Sequence, residues 1–402
     1  MSITSGFEEF FDAPAFDYDR HKKEFIDHMN YLKTQSVEES VFYKKYLEVQ
    51  NYKNYVNKSM EVKAKVWGWD SVDLNDEAKT ISQIEALRPR IRFIEQNEDR
   101  YATDWLMLRI FCHTMNFDQS PGRFLRFIIE DEVTGKYLGA VSLGSDVISI
   151  EARDAYLGWT PEVKLGKNGT GKLCNSAIGS CIMATQPFGY NFLGAKLMAG
   201  LLTTKYVRDI WKRLYGDTLV GFTTTSLYGT NSLYNGLPWW HKCGATKGLI
   251  ALKPNDCYYD LWHHYIQEDR KEEYDKKMTQ AEGVNGPVTA AKQRIIQMIF
   301  NELGLKNRDY VHTFERGVYY AAVYENTKEF LQGKITEDKL VMKPKFVSDM
   351  QGVMDWWRPK AINRYKNLKR EGRLKPEVLY YNGLGDLTYE KAKALYYNEV
   401  GR

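Results

Sequence analysis

The sequence predicts an α/β protein: a mixed sheet flanked by helices, with an N-terminal helical extension and a C-terminal α+β unit. Three observations carry this. Residues 124–130 (FLRFIIE) and 137–144 (YLGAVSLG) are apolar β-rich runs joined by a short polar connection, which is the pattern of a hairpin. A further β-rich run, 175–185 (NSAIGSCIMAT), passes through a Pro/Gly turn into 193–202 (LGAKLMAGLL), whose composition is helical. Another strand-like run, 219–226 (LVGFTTTS), follows, and strands interleaved with helical pieces make a mixed sheet.

The remaining elements follow in chain order. A chain of 402 residues exceeds what one core usually serves, and 43% hydrophobic residues suffice for sizeable cores. We therefore expect four segments: 1–86 an N-terminal helical extension, 87–268 the α/β domain, 269–287 a linker, and 288–402 a basic C-terminal unit. The first nineteen positions are acidic and aromatic without a basic n-region, so they do not read as a signal peptide. Residues 18–65 read as one or two amphipathic helices, with Phe25, Met29 and Leu32 on one stripe, and 67–70 (WGWD) breaks that pattern. Residues 104–116 (DWLMLRIFCHTMN) predict a buried helix opened by a capping Asp104, and 119–122 (QSPG) a turn. A charge run at 269–275 and the Gly/Pro-bearing 282–287 suggest the linker. Beyond it, 291–303 and 389–397 read as helices and 318–323 as a short β-like run.

Composition narrows the function. The net charge of +4 neither demands nor excludes a polyanionic partner. Five Cys without C-x-x-C or zinc spacing predict reduced intracellular thiols, and His263, His264 and His312 have no ligand spacing around them, so no metal site is expected. No apolar run approaches membrane-spanning length, which predicts a soluble protein with no membrane partner. The 28 Tyr and 10 Trp serve as packing residues or as stacking surfaces.

Two segments carry chemistry. The turn Gln186-Pro-Phe-Gly189-Tyr-Asn191, followed by Gly194-Ala195-Lys196, offers backbone N–H groups and a helix start, an arrangement that favours anions; packing explains such a turn about as often. Residues 239–245 (WWHKCGA) follow Asn231-Ser-Leu-Tyr234-Asn235. Together they resemble the GNAT (N-acetyltransferase-like) fold over about residues 87–261. The usual loop pattern of that fold, Gln/Arg-x-x-Gly-x-Gly/Ala, is matched at Gln186 and Gly189, with Asn191 in place of the last small residue. Aligning instead on 194–198 (GAKLM) puts Phe192 where the inner Gly belongs.

Further blocks narrow the resemblance: 120–127 (SPGRFLRF), 138–146 (LGAVSLGSD), Arg153-Asp154 with Gly158-Trp159, 223–229 (TTTSLYG), 315–319 (ERGVY) and 324–326 (YEN). As a set, over residues 90–330, they resemble the DruA-type proteins of the Druantia anti-phage systems and their phage relatives. That group is distantly similar to the phage Mu DNA-modification protein Mom. The resemblance implies a group transferase in the cytoplasm of a bacterial host cell that modifies a nucleic-acid base, with DNA as partner. It implies an acyl-CoA or related acyl donor held by Gln186, Gly189, Asn191, Gly194, Ala195 and Lys196. It also places residues 239–245 at the end of the last conserved helix, and a general-acid Tyr, here Tyr234, near the leaving thiolate.

The candidate catalytic residues are Tyr234, Tyr228, Ser226, Asn231, Asn235, Arg153 and Asp154. Plain packing explains either Tyr alone at least as well; Arg153 and Asp154 fit an oriented cleft pair or a structural ion pair equally well. Asp146 reads as a turn residue. His241 and Cys243 point in different directions if helical, so a nucleophilic dyad is disfavoured. Candidate nucleic-acid contacts are Arg123 and the basic stretch Arg358, Lys360, Arg364, Lys366, Lys369, Arg370 and Arg373, where Trp356, Trp357 and Tyr365 are available for stacking. The rival reading is a solvated basic helix and, for the whole chain, a non-catalytic DNA-binding or scaffolding subunit of a phage or anti-phage assembly. An ordinary small-molecule or protein acetyltransferase would leave the basic stretch without a purpose.

Overall fold

The computed structural model describes residues 16–68, 72–95, 98–117, 122–166, 171–226, 233–246, 249–282, 289–376 and 386–400. Its strands are β1 (Pro89–Phe93), β2 (Phe124–Asp131), β3 (Tyr137–Ser145), β4 (Ser176–Ala184), β5 (Gly221–Ser226), β6 (His241–Ala245), β7 (Leu249–Ala251), β8 (Val311–Thr313) and β9 (Gly317–Ala322). The chain forms two compact units. One gathers Met1–Val37, Leu249–Gly286 and Ala290–Thr313; the other gathers Glu38–Gly248, Pro287–Thr289 and Phe314–Arg402.

The first unit is mostly helical, with β7 and β8 as a two-stranded antiparallel ribbon. Helix Tyr18–Thr34 buries the expected stripe of Phe25, Met29 and Leu32, together with His28. Phe25 meets Trp262 and Phe300 edge-on, so three helices share an aromatic core. The segment expected as a linker contributes a helix here, Lys271–Glu282.

The second unit is built on a seven-stranded sheet in the order β1-β2-β3-β4-β5-β9-β6. All neighbours are antiparallel except β4 and β5, which run parallel. β3 is buried along almost its whole length, as a strand covered on both faces must be. Alternation sorts its neighbour β2 the same way: Leu125, Phe127 and Ile129 join one apolar cluster, while Ile128 joins the cluster on the opposite face. Helices Gly194–Leu201 and Met350–Arg370 cover one face, and helix Asp99–Cys112 the other, through Trp105, Leu108 and Phe111. Gly139 permits this close packing, because a Cβ there would come within 2.4 Å of Met198 Sδ.

Three expectations change. Asp104 does not cap a helix; the helix begins at Asp99, and Asp104 lies inside it, wholly buried. Its Oδ2 accepts from Lys65 Nζ at 2.7 Å and from Tyr137 Oη at 2.6 Å, which explains an acid in an apolar helix. Residues 241–245 form strand β6 rather than the end of a helix, because β9 offers them an edge to pair with. The β-like run at 318–323 belongs to β9, inside the central sheet rather than in a separate C-terminal unit.

Candidate functional site

The parallel pair β4–β5 defines the geometry. The two strands pair at Ser176↔Gly221, Ala177↔Phe222 and Ile178↔Thr223, and then part. On β5, Thr223 lies opposite Tyr320 of β9, and Thr224 opposite Tyr319. Strand alternation therefore sends Thr223 and Tyr320 to one face and Thr224 and Tyr319 to the other. Each face carries its own polar cluster.

On the first face, Asp146 follows β3 and is buried. Its Oδ2 accepts from Ser176 Oγ at 2.5 Å and Thr223 Oγ1 at 2.6 Å, and its Oδ1 accepts from Arg153 Nη1 at 2.5 Å. Arg153 is wholly buried on helix Glu151–Leu157 and also donates through Nη2 to Asp154 Oδ1 at 2.6 Å. Lys164 Nζ completes the set at 2.5 Å from Asp154 Oδ2. Burial opposes the Arg153 charge, but Asp146 and Asp154 outweigh it and raise its pKa. Two anions thus face two cations, and the main polar atoms are spent on one another. Burying charge is tolerable only on those terms, so this network is a clamp that holds its helix to the sheet. Of the two readings open for Arg153 and Asp154, the geometry matches the ion pair.

The clamp positions a cleft. Tyr156, one helical turn from Arg153, stacks on His241 of β6 with ring centroids 4.5 Å apart and planes inclined by 20°. Lys328 Nζ lies 3.8 Å from the centre of the Tyr156 ring. Trp239, Trp240, Lys343, Lys345 and Phe346 complete a cleft of about 240 Å³ with Tyr156 and His241. Burial, then Lys328 and Lys343, lower the His241 pKa, which keeps the ring neutral near pH 7. Because 241–245 is a strand, Cys243 shares this neighbourhood, and burial pushes its thiol up to about 12.

On the second face, Thr224 Oγ1 lies in the gap where β4 and β5 part, 3.3 Å from Gly179 O and 3.3 Å from Tyr234 Oη. Tyr234 is buried between Trp240 and Tyr319, with centroids 5.1 and 5.2 Å away. Burial raises its pKa well above the ordinary tyrosine value. Asn235 accepts from Tyr319 Oη through Oδ1 at 2.9 Å, and its carbonyl accepts from Lys196 Nζ at 2.7 Å. The structure thus brings Tyr234, Asn235 and Lys196 together; Ser226 is buried at the end of β5 opposite Gly317. Tyr228 and Asn231 lie outside the described residues.

The loop expected to hold a donor is spent on packing. Gln186 Oε1 accepts from Tyr190 N at 3.0 Å. Asn191, wholly buried, donates through Nδ2 to Lys375 O at 2.7 Å and accepts from Lys375 N at 3.1 Å. Gly194 faces the Phe188 ring, 2.5 Å from where a Cβ would sit, and Gly189 faces the Gln186 side chain. Ala195 is partly buried against the core cluster of that face. These residues do not fit a pyrophosphate cradle as they stand.

The basic stretch is partly spent as well. Arg358 caps helix Glu77–Ala86 from across the fold, through Ile84 O at 3.3 Å and Leu87 O at 3.0 Å. Lys369 reaches Asn75 O at 2.9 Å and Glu77 at 3.3 Å; Arg373 pairs with Glu371, and Arg370 with Asn367. Arg364 and Lys360 lie over Tyr190 and Trp356, and Lys366 is exposed. Arg123 pairs with Asp217 at 2.6 Å and lies over the Tyr215 ring. Among the described residues no three His, Cys, Asp or Glu gather as a metal site, and no helix is long and apolar enough to cross a membrane. Sequence reading missed Ser176 and Thr223, which meet at Asp146 through topology alone, Lys164, which reaches Asp154 from ten residues on, and the cleft lysines. Lys343 and Lys345 alternate beside an aromatic, a signal that was there to read.

Fold and site define an α/β protein with a mixed seven-stranded sheet, a buried charge clamp and an aromatic, basic cleft. A family model described as "Druantia protein DruA" matches residues 40–333, and the chain belongs to that family, which associates it with a bacterial defence system. It is 26% identical over 260 residues to the Druantia protein DruA of Escherichia coli (strain UMEA 4076-1), an alignment covering 60% of this chain and 61% of that one. The chain thus spans about three fifths of the length of the curated relative it matches. No solved structure matches it.

Proposed function

We propose that this chain is a nucleic-acid-directed group transferase of a defence system, with a DNA base as acceptor. The observation that carries this reading is the parting of the parallel strands β4 and β5 around Thr224 and Tyr234. The ends of parallel strands that diverge leave a notch lined by oriented groups, where ligands of α/β proteins gather. Tyr234 keeps its proton through the physiological range because its phenolate would be buried, so its hydroxyl is available there to orient a ligand by hydrogen bonding. A base buried in a duplex must be flipped out or supplied single-stranded to reach such a notch. The donor loop does not fit a coenzyme A pyrophosphate, so the donor is left open and no step runs through it.

That same loop favours a second reading, a non-catalytic nucleic-acid-binding subunit: Asn191 holds the Lys375 backbone where a cofactor would lie. Nucleoside mass spectrometry of DNA from cells making the protein separates the two. A transferase leaves a nucleoside mass absent from cells with an empty vector. Identical nucleoside profiles, in DNA and in RNA, would leave the binding subunit.

A further inference from the structure

Three lysines, Lys328, Lys343 and Lys345, stand at one aromatic cleft, and none of them forms an ion pair among the described residues. Three like charges with only Glu325 acting against them on Lys343 repel, and the protein tolerates this most readily where an anion is to be received. Burial and Lys328 both lower the pKa of Lys343, with Glu325 acting the other way. The walls are planar: His241 stacked on Tyr156, and Trp239 beside Trp240. Cations beside an exposed ring are what a single strand needs, since the cations meet the phosphates and the ring takes an unstacked base. Here that ring is His241, because Trp239 and Trp240 are buried and Tyr156 lies between His241 and Lys328. A neutral His241 can stack without adding charge.

Size narrows the ligand. Pockets that engulf a whole cofactor-sized molecule run to roughly 300–1,000 Å³. This cleft is about 240 Å³, room for one nucleotide of a longer chain passing across the surface.

We propose that the cleft between Tyr156, His241, Trp239 and Lys343 is a single-stranded DNA site, taking one base against the exposed His241 ring and the flanking phosphates on Lys328, Lys343 and Lys345. The assignment rests on the nucleic-acid reading above but not on group transfer. It moves the principal DNA contact away from the basic stretch 358–375, several of whose cations already hold the chain's own backbone or acids.

Fluorescence anisotropy with a labelled twelve-nucleotide oligo-dT tests it on the full chain. The Lys343→Glu/Lys345→Glu variant should bind at least tenfold more weakly, and its log affinity should fall less steeply with log salt, by about 1.4 for two lost phosphate contacts at about 0.7 each. His241→Ala should weaken binding several-fold with the salt slope unchanged. Lys79→Glu, an exposed lysine on the helix that leads into β1 at the opposite edge of the sheet from β6, should match the wild type, and circular dichroism should be the same for all four. Equal affinity and slope for the lysine variant would overturn the site. So would displacement of the oligomer by thymidine monophosphate at equal nucleotide concentration, which would mark a free-nucleotide pocket. Cleft-dependent binding without a new nucleoside would count against group transfer alone; a new nucleoside with cleft-independent binding would count against the cleft alone.

Discussion

Arg153 Nη1 donates to Asp146 Oδ1 at 2.5 Å with both side chains removed from solvent. This bond ties the end of β3 to helix Glu151–Leu157 and so sets where Tyr156 stands. Removing one member leaves the other charge buried without its partner. Arg153→Leu should therefore lower the unfolding free energy by about 3–5 kcal/mol. Urea unfolding followed by circular dichroism measures this; a loss under about 1 kcal/mol would mean that the Ser176 and Thr223 hydroxyls suffice to hold the Asp146 charge without Arg153.

The second buried acid makes a milder prediction. Tyr137→Phe removes the hydroxyl that reaches Asp104 Oδ2 at 2.6 Å, while Lys65 keeps its contact at 2.7 Å. The expected cost is about 1–3 kcal/mol, less than that of the Arg153 change. The two variants should rank in that order in one unfolding series.

His28 makes the first unit acid-sensitive. Its Nε2 accepts the Asn255 N–H at 3.2 Å and its ring stacks on Tyr258, an arrangement that needs the neutral imidazole. Burial lowers its pKa to about 4 from an ordinary 6.5. The unfolded chain thus takes up the proton first as pH falls. The stability from this group is whole above about pH 6.5, drains away between 6.5 and 4, and changes no further below. Amide exchange in helices Tyr18–Thr34 and Asp256–Asp269 should quicken at pH 4.5 relative to pH 7, beyond the intrinsic pH effect, and His28→Gln should blunt the change.

Cysteine chemistry separates two thiols. Burial holds the Cys243 pKa at about 12, so almost no thiolate exists at pH 8, whereas Cys257 is exposed. Iodoacetamide on the native protein at pH 8 should label Cys257 well before Cys243. Rapid labelling of Cys243, mapped by peptide mass spectrometry, would show that its surroundings open.

Much of the fold was legible from local pattern. The β2–β3 hairpin, β4 with its following helix, and the helices at Thr289–Glu302 and Tyr389–Val400 fall close to where periodicity puts them. What escaped was long-range. Nothing near 318–323 announces that it will pair with β5, and without that partner 241–245 reads equally well as a helix end. Asp104 imitates a cap because its true partners, Lys65 and Tyr137, are distant in sequence. The site was half legible for the same reason: Arg153, Asp154 and Tyr234 stand out, but Asp146, Ser176 and Thr223 become a network only when three strands converge.

The most direct measurement of where nucleic acid lies is ultraviolet crosslinking of a single-stranded oligonucleotide to the full chain, with the attachment points mapped by mass spectrometry. The cleft site predicts crosslinks on the peptides carrying Tyr156 and Trp239–His241, lost on adding unlabelled oligonucleotide. Crosslinks confined to residues 358–375, or none at any salt concentration, would contradict it.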